Sequence, residues 1–553
     1  MKQLYHFIMQ PARLPYNFDV WQTLPFPERT KQVCQAWALQ GFGAPLFVTI
    51  FYLLKIILYI YVWLFFCSFS KELGNFSSIS QWWFHLEALG KAIFWTMLLE
   101  VIGFGGASGP LTARYMPPLG GSLYFLRPKT VKKPLFPKIP LVGSDTRTIF
   151  DVAFYAGLLY ALVIVCTAVA ITPELVLPVV LLLLVLGILD TTIYLSARAD
   201  IYFPMAICFL YPSETGSALK IIFFGIWFWA AFSKLTPSFS SVVCVMICNS
   251  PVLKFDWLKK RLFKNYPDDL RASTFAEYLS HFGTLVEFVL PILLLTNSNA
   301  DAIFWILIGI TCFHTFIFIN LPMGVPLEWN IIMVYGGFVL FLMNPTFSVF
   351  AVSQPLVVLV LVISLVILPI LGNLFPKYIS FLLSMRYYAG TWAYNIWFFK
   401  DQSIDKIDAH ITKTSPALSK QLGLFYDKKT ADAILSRVIS WRMMHLPARV
   451  LHELLPKTVE DINHYTWMDG EFMAGEILGW NFGDGHLAAE SLLASVQKRC
   501  HFESGELRVI MVESPQLHTQ KIVWRIVDAK DGELENGIIM LGQLKEQMPW
   551  GIA

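Results

Sequence analysis

The sequence predicts an all-α polytopic membrane protein with about 8–10 transmembrane helices, followed by a small α+β cytoplasmic domain at the C-terminus. Three observations lead to this fold class. Of the 553 residues, 56% are hydrophobic and only 15% are charged, whereas charged residues make up about 25% of a typical soluble chain. Apolar stretches of nearly membrane-spanning length recur from about residue 44 to residue 376. Beyond about residue 376 the composition becomes that of an ordinary soluble protein.

Charge, cysteine content and motifs exclude several other classes. A net charge of +3 is too small to indicate nucleic-acid binding. The eight cysteines form no pair of C-x-x-C motifs, so neither a zinc site nor a disulfide scaffold is predicted. The eleven histidines are spread along the chain rather than clustered as a di-iron centre requires. We therefore expect no metal site and no nucleic-acid partner.

The first 43 residues form a lead-in of mixed polarity with several prolines. A signal peptide would have a shorter apolar region nearer the start of the chain. The pattern is instead typical of a retained amphipathic segment that touches the membrane surface.

The transmembrane domain is predicted over residues 44–376. A helix needs about 20 apolar residues to cross the bilayer. Eight stretches are candidates, at roughly 45–66, 88–105, 150–172, 175–195, 275–296, 302–320, 329–343 and 350–375. Between the fourth and fifth of these, residues 201–250 contain three shorter apolar pieces broken by Pro204, Pro212 and Pro237. This segment is expected to contribute either two crossings or none.

Loop charges predict the orientation. The loops 106–149 and 251–274 are rich in Lys and Arg, whereas 297–301 and 344–349 contain neither. Basic loops stay in the cytoplasm, which places both termini there. The predicted location is the cytoplasmic (inner) membrane of a bacterium.

Residues 377–553 are predicted to form the soluble α+β domain, which we expect to be separable over 401–553. Helical patterns lie at 431–442, 444–455 and 486–497. Strand patterns follow at 506–513, 521–528 and 536–541.

Polar side chains inside apolar spans are costly in lipid, so each suggests a functional site. Lys234 is the strongest catalytic candidate. Ala230 and Ala231 leave space on its helical face, and Trp227 continues that face. A lysine desolvated against aromatic rings can act as a base near neutral pH. The alternative is a cation that extends to the membrane interface just before Pro237.

Two histidines are the other catalytic candidates. His281 lies four residues after Glu277, on the same helical face, and Glu287 follows in the same span. This arrangement suits a proton relay or a head-group site, and a hydrogen-bonded stripe between helices is the alternative. His314 lies in the middle of the next span, where it either shuttles protons or packs between helices.

The remaining polar residues suggest substrate binding or structural roles. Asn320 and Glu328 flank a break rich in Pro and Gly. Asp190 lies beside two threonines. For this residue, substrate binding and a structural role are equal alternatives. Lys55 is expected either to extend to the membrane interface or to form a structural ion pair with Glu100. The predicted substrate-binding residues are Trp227, Glu287, Asn320, Glu328 and Asp190.

Three segments carry a family resemblance, at 223–239 (FFGIWFWAAFSKLTPSF), 285–295 (LVEFVLPILLL) and 304–324 (FWILIGITCFHTFIFINLPMG). Together they resemble the membrane core of the vitamin K-dependent γ-carboxylases and of the wider HTTM (horizontally transferred transmembrane) group, here at about 219–343. The chain as a whole resembles an uncharacterised bacterial transmembrane family of about this length.

The resemblance implies that Lys234 matches the basic lysine of the carboxylases and His314 their histidine. The paired lysines of that pattern are replaced by Ser233 and the single Lys234. The luminal β-rich portion of the eukaryotic enzymes has no counterpart in the C-terminal sequence. A related fold is therefore expected, without vitamin K epoxidation coupled to carboxylation.

Three functions remain open from the sequence. The first is an enzyme acting on a lipid or quinone-like substrate, with Lys234 as base and His314 or His281 orienting groups or shuttling protons. The second is a non-catalytic protein that binds or transports a lipid or small molecule. The third is a membrane scaffold that docks a protein partner through its C-terminal domain. The first two predict that Lys234 and His314 face one cavity.

Overall fold

The computed structural model describes residues 2–105, 108–116, 121–140, 142–320, 327–379, 383–482 and 485–551. Twelve helices form its N-terminal and membrane parts, apart from short turns of helix at Lys2–Met9, Phe18–Trp21, Ile79–Trp82, Ser122–Phe125, Thr191–Ser196 and Asp256–Leu262. In chain order they are α1 (Phe26–Gln40), α2 (Leu46–Cys67), α3 (Leu86–Val101), α4 (Ile149–Thr167), α5 (Pro173–Leu189), α6 (Ala199–Cys208), α7 (Thr215–Ser233), α8 (Ser238–Asn249), α9 (Thr274–Thr296), α10 (Ala300–Asn320), α11 (Leu327–Met343) and α12 (Pro355–Leu374).

Six helices within the described ranges are long and apolar enough to cross a bilayer, namely α2, α4, α7, α9, α10 and α12. Four shorter helices, α5, α6, α8 and α11, are also apolar. The predicted class of helical membrane protein is therefore confirmed, while the predicted count of 8–10 crossings stays a prediction.

The segment 201–250 contains one long helix between two short ones. Pro204 lies inside α6, Pro212 lies between α6 and α7, and Pro237 caps the start of α8. The middle piece, α7, has 19 residues, and 78% of its most apolar window is buried inside the protein. A helix that is buried all round belongs at the centre of a bundle. The three pieces expected from the prolines are present. The middle one is long and apolar enough to cross a bilayer and the other two are shorter, so the structure has one candidate span here, whereas two crossings or none were predicted.

Helix α3 is buried along nearly its whole length although it carries charged residues. Lys91 is fully buried, and its ammonium donates hydrogen bonds to the carbonyl oxygens of Val165 (3.2 Å), Cys166 (2.9 Å) and Ala168 (2.5 Å). These carbonyls lie at the end of α4, where no intrahelical partner remains for them. The Lys91 ammonium therefore caps the C-terminal end of α4, and its own hydrogen bonds are satisfied by the same contacts.

The C-terminal part combines helices with a five-stranded antiparallel sheet. A separate two-stranded hairpin, β1 (Phe263–Asn265) and β2 (Asp269–Ala272), precedes α9. The five strands of the main sheet are β3 (Tyr394–Lys400), β4 (Tyr465–Asp469), β5 (Leu507–Val512), β6 (Lys521–Asp528) and β7 (Gly532–Met540), in the order β4-β3-β5-β6-β7. The helices around it are α13 (Leu383–Ala389), α14 (Lys428–Met444) and α15 (Glu490–Cys500), with shorter ones at Asp405–His410, Leu418–Leu422, Leu451–Thr458, Gly470–Leu478 and Leu541–Lys545.

The last three strands were predicted, and β3 and β4 were not. The predicted helices at 431–442 and 486–497 correspond to α14 and α15, with shifted ends. At 444–455 the structure has a short 3₁₀ turn, Leu446–Val450, followed by the Leu451–Thr458 helix. The segment is α+β, as predicted.

The C-terminal part packs closely against the rest of the chain. Arg437 of α14 donates to the carbonyl oxygens of Phe42 and Gly43, at 2.5 and 3.0 Å. Arg499 of α15 pairs with Asp145 at 2.7 Å. Burial alone would raise the pKa of Asp145, but the hydrogen bond and charge of Arg499 lower it to about 2. The domain boundary at 376/377 stays a prediction, and contacts of this kind cross it.

Candidate functional site

A cavity of about 410 Å³ lies between α7, α8, α9, α10, α11 and α13. Its wall is almost entirely apolar, with residues such as Ile226, Val242, Met246, Phe313 and Met333. A volume of this size and an apolar lining with few polar groups are typical of small-molecule sites. The polar side chains on the wall are Lys234, Ser280, Glu287, His314, Asn320 and Asn330.

Lys234 and Glu287 form a buried ion pair on this wall. Lys234 is the last residue of the turn that ends α7, and Glu287 lies in the middle of α9. The ammonium Nζ donates to Glu287 Oε2. The same nitrogen lies 5.6 Å from the ring centres of both Phe239 and Phe313, close enough for cation–π attraction. The predicted base is therefore held by a carboxylate and two aromatic faces.

His314 lies on the same cavity and is hydrogen-bonded through both ring nitrogens. The indole Nε1 of Trp227 lies 3.0 Å from His314 Nε2, and Asn330 Oδ1 lies 2.8 Å from His314 Nδ1. An indole N–H only donates, so Nε2 accepts and Nδ1 carries the proton that is donated to Asn330. The imidazole is thus neutral in one defined tautomer. This arrangement orients Trp227 and Asn330 against the cavity.

Asn320 lies at the end of α10 and is only 2% exposed. Its Nδ2 donates to the carbonyl oxygen of Phe316 at 2.7 Å. Within the described ranges, which end at Asn320 and resume at residue 327, its Oδ1 has no hydrogen-bond partner. A buried acceptor left unsatisfied costs about 1–3 kcal/mol, so Asn320 is a candidate acceptor for a hydrogen-bond donor from outside the chain.

One side of the cavity is formed by exposed side chains. Phe282 on α9 is 64% exposed, Phe316 on α10 is 40% exposed, and Cys312 on α10 is also exposed. Both helices are candidate membrane spans, so their exposed apolar side chains face lipid. Gly283, the residue after Phe282, also lines the cavity, and a Cβ added there would meet no described atom of another part of the chain within 4 Å. The cavity therefore opens sideways between α9 and α10.

Of the predicted site residues, Lys234, His314, Trp227, Glu287 and Asn320 line this cavity. His281 does not, because it lies on the exposed face of α9. Glu277, which was predicted to share a helical face with His281, forms an ion pair with Lys545 at 2.6 Å. The polar stripe predicted along α9 is thus divided between the cavity and the surface.

Asp190 is also outside the cavity and has a structural partner. Its Oδ2 accepts hydrogen bonds from the Nε (3.2 Å) and a terminal nitrogen (2.5 Å) of Arg147, and both side chains are fully buried. Its Oδ1 accepts from the backbone N–H of Thr192 at the start of the next helix. Asp190 therefore joins the basic loop to the end of α5.

Glu328 lies in a second polar cluster. Its carboxyl group is hydrogen-bonded to that of Glu100, and each residue is 4% exposed. The expected Lys55–Glu100 ion pair is not among the ion pairs of the described residues. The Lys55 ammonium instead donates to the carbonyl oxygens of Gly105 (2.6 Å) and Ser108 (3.2 Å). Glu328 does not line the cavity that Lys234 and Glu287 line.

Two contributors to the cavity could not be foreseen from the span pattern. Met385 and Tyr388 come from α13, which follows the last predicted span by only a few residues. The opposite charges of Lys234 and Glu287 were the available signal for their pairing, although 53 residues separate them.

These features define a class, which is a polytopic helical membrane protein with a laterally open apolar cavity and an ion pair on its wall. Residues 7–553 match the family described as "transmembrane protein of unknown function (DUF3556)", and the chain belongs to this family. No curated protein and no solved structure matches it. The predicted resemblance to a transmembrane family is thereby confirmed. The match shows no link to the γ-carboxylase and HTTM group or to a bacterial source, and that part stays a prediction.

Proposed function

We propose that this protein binds a lipid or quinone-like molecule that enters the cavity sideways between α9 and α10. The single observation that carries this proposal is the position of the cavity, which is apolar, deep enough to reach buried polar groups, and open on a face formed by two membrane spans. A water-soluble ligand would need a polar route to the site, whereas an apolar ligand reaches this opening directly from the bilayer.

The polar groups determine how such a ligand is oriented. The Lys234–Glu287 pair and Asn320 are buried on the cavity wall, whereas Phe282 and Phe316, which also line the cavity, are exposed. A ligand with one polar end therefore places that end against these three side chains. Its hydrocarbon part then lies along α9 and α10 and continues into the lipid.

The second candidate function is catalysis of a proton transfer on that ligand. The observation in its favour is that an amine and a carboxylate are hydrogen-bonded at the cavity wall. Transfer of the shared proton to Glu287 would leave Lys234 as a neutral base facing the ligand. His314, with both nitrogens engaged, serves to orient Trp227 and Asn330 rather than to shuttle protons. A related carboxylase-like fold would agree with this role for Lys234.

The proposed location is the inner membrane with both termini in the cytoplasm. Its support is that the two basic loops contact the C-terminal domain, through Asp145–Arg499 (2.7 Å) and Arg271–Glu546 (3.7 Å). The N-terminal segment contacts it as well, through Asp19–Lys429 at 2.5 Å. All of these segments therefore lie on one side of the bundle, which we assign to the cytoplasm on the positive-inside rule. Docking of a protein partner by the C-terminal domain stays a prediction.

The experiment uses Gly283 as the place to block the opening. In Gly283→Phe the new side chain has free space at its Cβ and adds a ring at the part of α9 that lines the cavity. The matched control is Gly542→Phe, because Gly542 also has no atom within 4 Å of an added Cβ and lies far along the chain in the Leu541–Lys545 helix. Wild type, blocked variant and control are purified under the same conditions, and co-purifying lipids and quinones are identified by mass spectrometry.

We expect one amphiphilic species to be retained by the wild type and by Gly542→Phe, and to be depleted in Gly283→Phe. Equal retention in all three proteins would overturn the proposal, as would a wild-type protein that retains no such species from any membrane extract. Whether the retained species is a substrate is then tested by comparing its conversion to product by the wild type and by Lys234→Met.

A further inference from the structure

A second cavity of about 500 Å³ lies where the last membrane helix meets the C-terminal sheet. One wall is formed by residues 375–378, directly after α12 ends at Leu374. Most of the remaining lining comes from β6, the end of β5, the start of β3 and residues 485–491. The cavity shares no lining residue with the first one. We refer to it as the junction groove.

Basic side chains converge on the junction groove from separate parts of the chain. They are Lys133, Lys377, Lys521 and Arg525, and the acidic residues of the lining are Glu490 and Glu513. Both acids already have partners, since Glu490 pairs with Arg525 and Glu513 with His486 at 2.8 Å. Among the described residues, no ion pair involves Lys377 or Lys521, and both are exposed. The groove therefore presents two cations that no described carboxylate neutralises, and Lys377 Nζ also lies 5.8 Å from the centre of the Tyr378 ring.

Exposed apolar side chains accompany these cations. Phe375 is 50% exposed and Tyr378 is 79% exposed, at the end of the membrane span. Across the groove, Val523 is 41% exposed and Ile538 is 61% exposed on the open face of the sheet. Aromatic residues beside a Lys at the end of a span are typical of the membrane–water interface. The groove therefore lies at head-group depth, with apolar side chains on both of its walls.

We propose that the junction groove binds the head group of an anionic phospholipid, with Lys377 and Lys521 on its phosphate. The cations account for the negative charge of the ligand. The exposed Phe375, Val523 and Ile538 account for a lipid rather than a free phosphate, because an anion without acyl chains gains nothing from apolar surface. This site is independent of the ligand proposed for the first cavity.

The test compares two double variants with the same change in charge. Lys377→Gln/Lys521→Gln removes the two free cations of the groove. Lys260→Gln/Lys428→Gln removes two exposed lysines that do not line it. Each protein is placed in nanodiscs of phosphatidylcholine with a minor fraction of phosphatidylglycerol, re-extracted in mild detergent, and analysed for retained lipid by mass spectrometry. Thermal unfolding of each protein shows that the variants are folded.

We expect the wild type and the Lys260/Lys428 variant to retain phosphatidylglycerol above its share in the nanodisc. Each cation near a membrane surface contributes about 1 kcal/mol, and about 1.4 kcal/mol corresponds to a factor of ten. Removal of both cations in the Lys377/Lys521 variant should therefore reduce this enrichment by roughly thirtyfold. Equal loss in both double variants would show non-specific attraction and overturn the proposal. Enrichment that persists in the Lys377/Lys521 variant would overturn it too. Inorganic phosphate that displaces the lipid completely at millimolar concentration would indicate a free-anion site instead.

Discussion

The ammonium of Lys234 and the carboxylate of Glu287 are paired across two helices, with side chains only 8% and 5% exposed. Such a pair is costly to assemble in an apolar environment, because both ions lose their hydration. It is nevertheless placed on the wall of a cavity where apolar side chains would pack more easily. This placement favours a role of the pair in binding a ligand over a role in stabilising the fold.

The first prediction concerns the stability of this pair. Lys234→Met leaves Glu287 buried without its partner, which should destabilise the protein by about 3–5 kcal/mol. The double variant Lys234→Met/Glu287→Met removes both charges and should be more stable than either single variant. Thermal unfolding in detergent measures these differences.

The control is the exposed pair between Lys264 and Glu546, which are 3.7 Å apart with side chains 43% and 69% exposed. Exposed pairs contribute little, so Lys264→Met should leave the unfolding temperature almost unchanged. A Lys234→Met variant as stable as Lys264→Met would contradict the geometry of the buried pair.

The second prediction distinguishes a buried carboxylate with a structural role, that of Asp190, from one on the cavity wall, that of Glu287. Asp190→Asn breaks the fully buried pair with Arg147, and it should destabilise the protein by an amount similar to Glu287→Gln. Only Glu287→Gln should change the ligand retained in the cavity, because Asp190 does not line it. Lipid analysis of both variants at a temperature where both remain folded gives the comparison. Loss of ligand in Asp190→Asn would argue for a site that includes the Asp190 region.

The apolar character of the helices and several polar residues of the cavity could be predicted because they depend on local pattern. A polar residue in an apolar helix must face protein, so Lys234, Glu287, His314 and Asn320 were natural candidates. Their partners depend on tertiary distance, which the sequence does not contain. Asp190 illustrates this point, because Arg198 is the nearest arginine along the chain and Arg147 is the actual partner.

Strand β3 illustrates a second limit. Six of its seven residues, Tyr394–Phe399, are buried, so the strand lacks the alternation that marks a half-exposed strand. It also follows an apolar span closely and is rich in aromatic residues. A buried central strand in that position resembles the end of the membrane domain, and only its pairing with β4 and β5 shows what it is.

The third prediction concerns pH and Glu471, which lies outside the membrane spans in the C-terminal part. Burial, opposed by Arg442 and assisted by Asp469, raises the pKa of Glu471 to about 7. Because the folded state holds this proton more tightly than the unfolded state, the stability contribution is full below pH 4.5 and is lost as pH rises to about 7. Glu471→Gln mimics the protonated form and should remove this dependence.

The measurement is the unfolding temperature of wild type and Glu471→Gln from pH 5 to pH 8. The unfolding temperature of the wild type should fall relative to that of the variant as pH rises through this window. Parallel curves would show that Glu471 is ionised in the folded protein throughout, held by Arg442 and by the indole N–H of Trp392, which donates to it at 3.0 Å.

The fourth prediction concerns the tautomer of His314. The Trp227 donor fixes the proton on Nδ1, so nitrogen NMR of the labelled imidazole should show the Nδ1–H form in the wild type. Trp227→Phe removes one buried hydrogen bond, at a cost of about 1 kcal/mol, and frees Nε2. The spectrum of the exposed His281 should be unaffected. An Nε2–H form in the wild type would contradict the Trp227–His314 hydrogen bond.

The last prediction concerns the C-terminal domain expressed alone. Strand β3 pairs with β4 on one side, from Ile396 to Lys400, and with β5 on the other, from Tyr394 to Phe399. A fragment of residues 401–553 lacks β3, so β4 loses its neighbour and β5 loses one of its two. This fragment should give no cooperative thermal transition by circular dichroism. A fragment of residues 377–553 keeps all five strands and should give one.

A cooperative transition in the shorter fragment would contradict the central position of β3. The absence of a transition in both would mean that the sheet depends on contacts with the membrane part, such as Arg437 with Phe42 and Arg499 with Asp145.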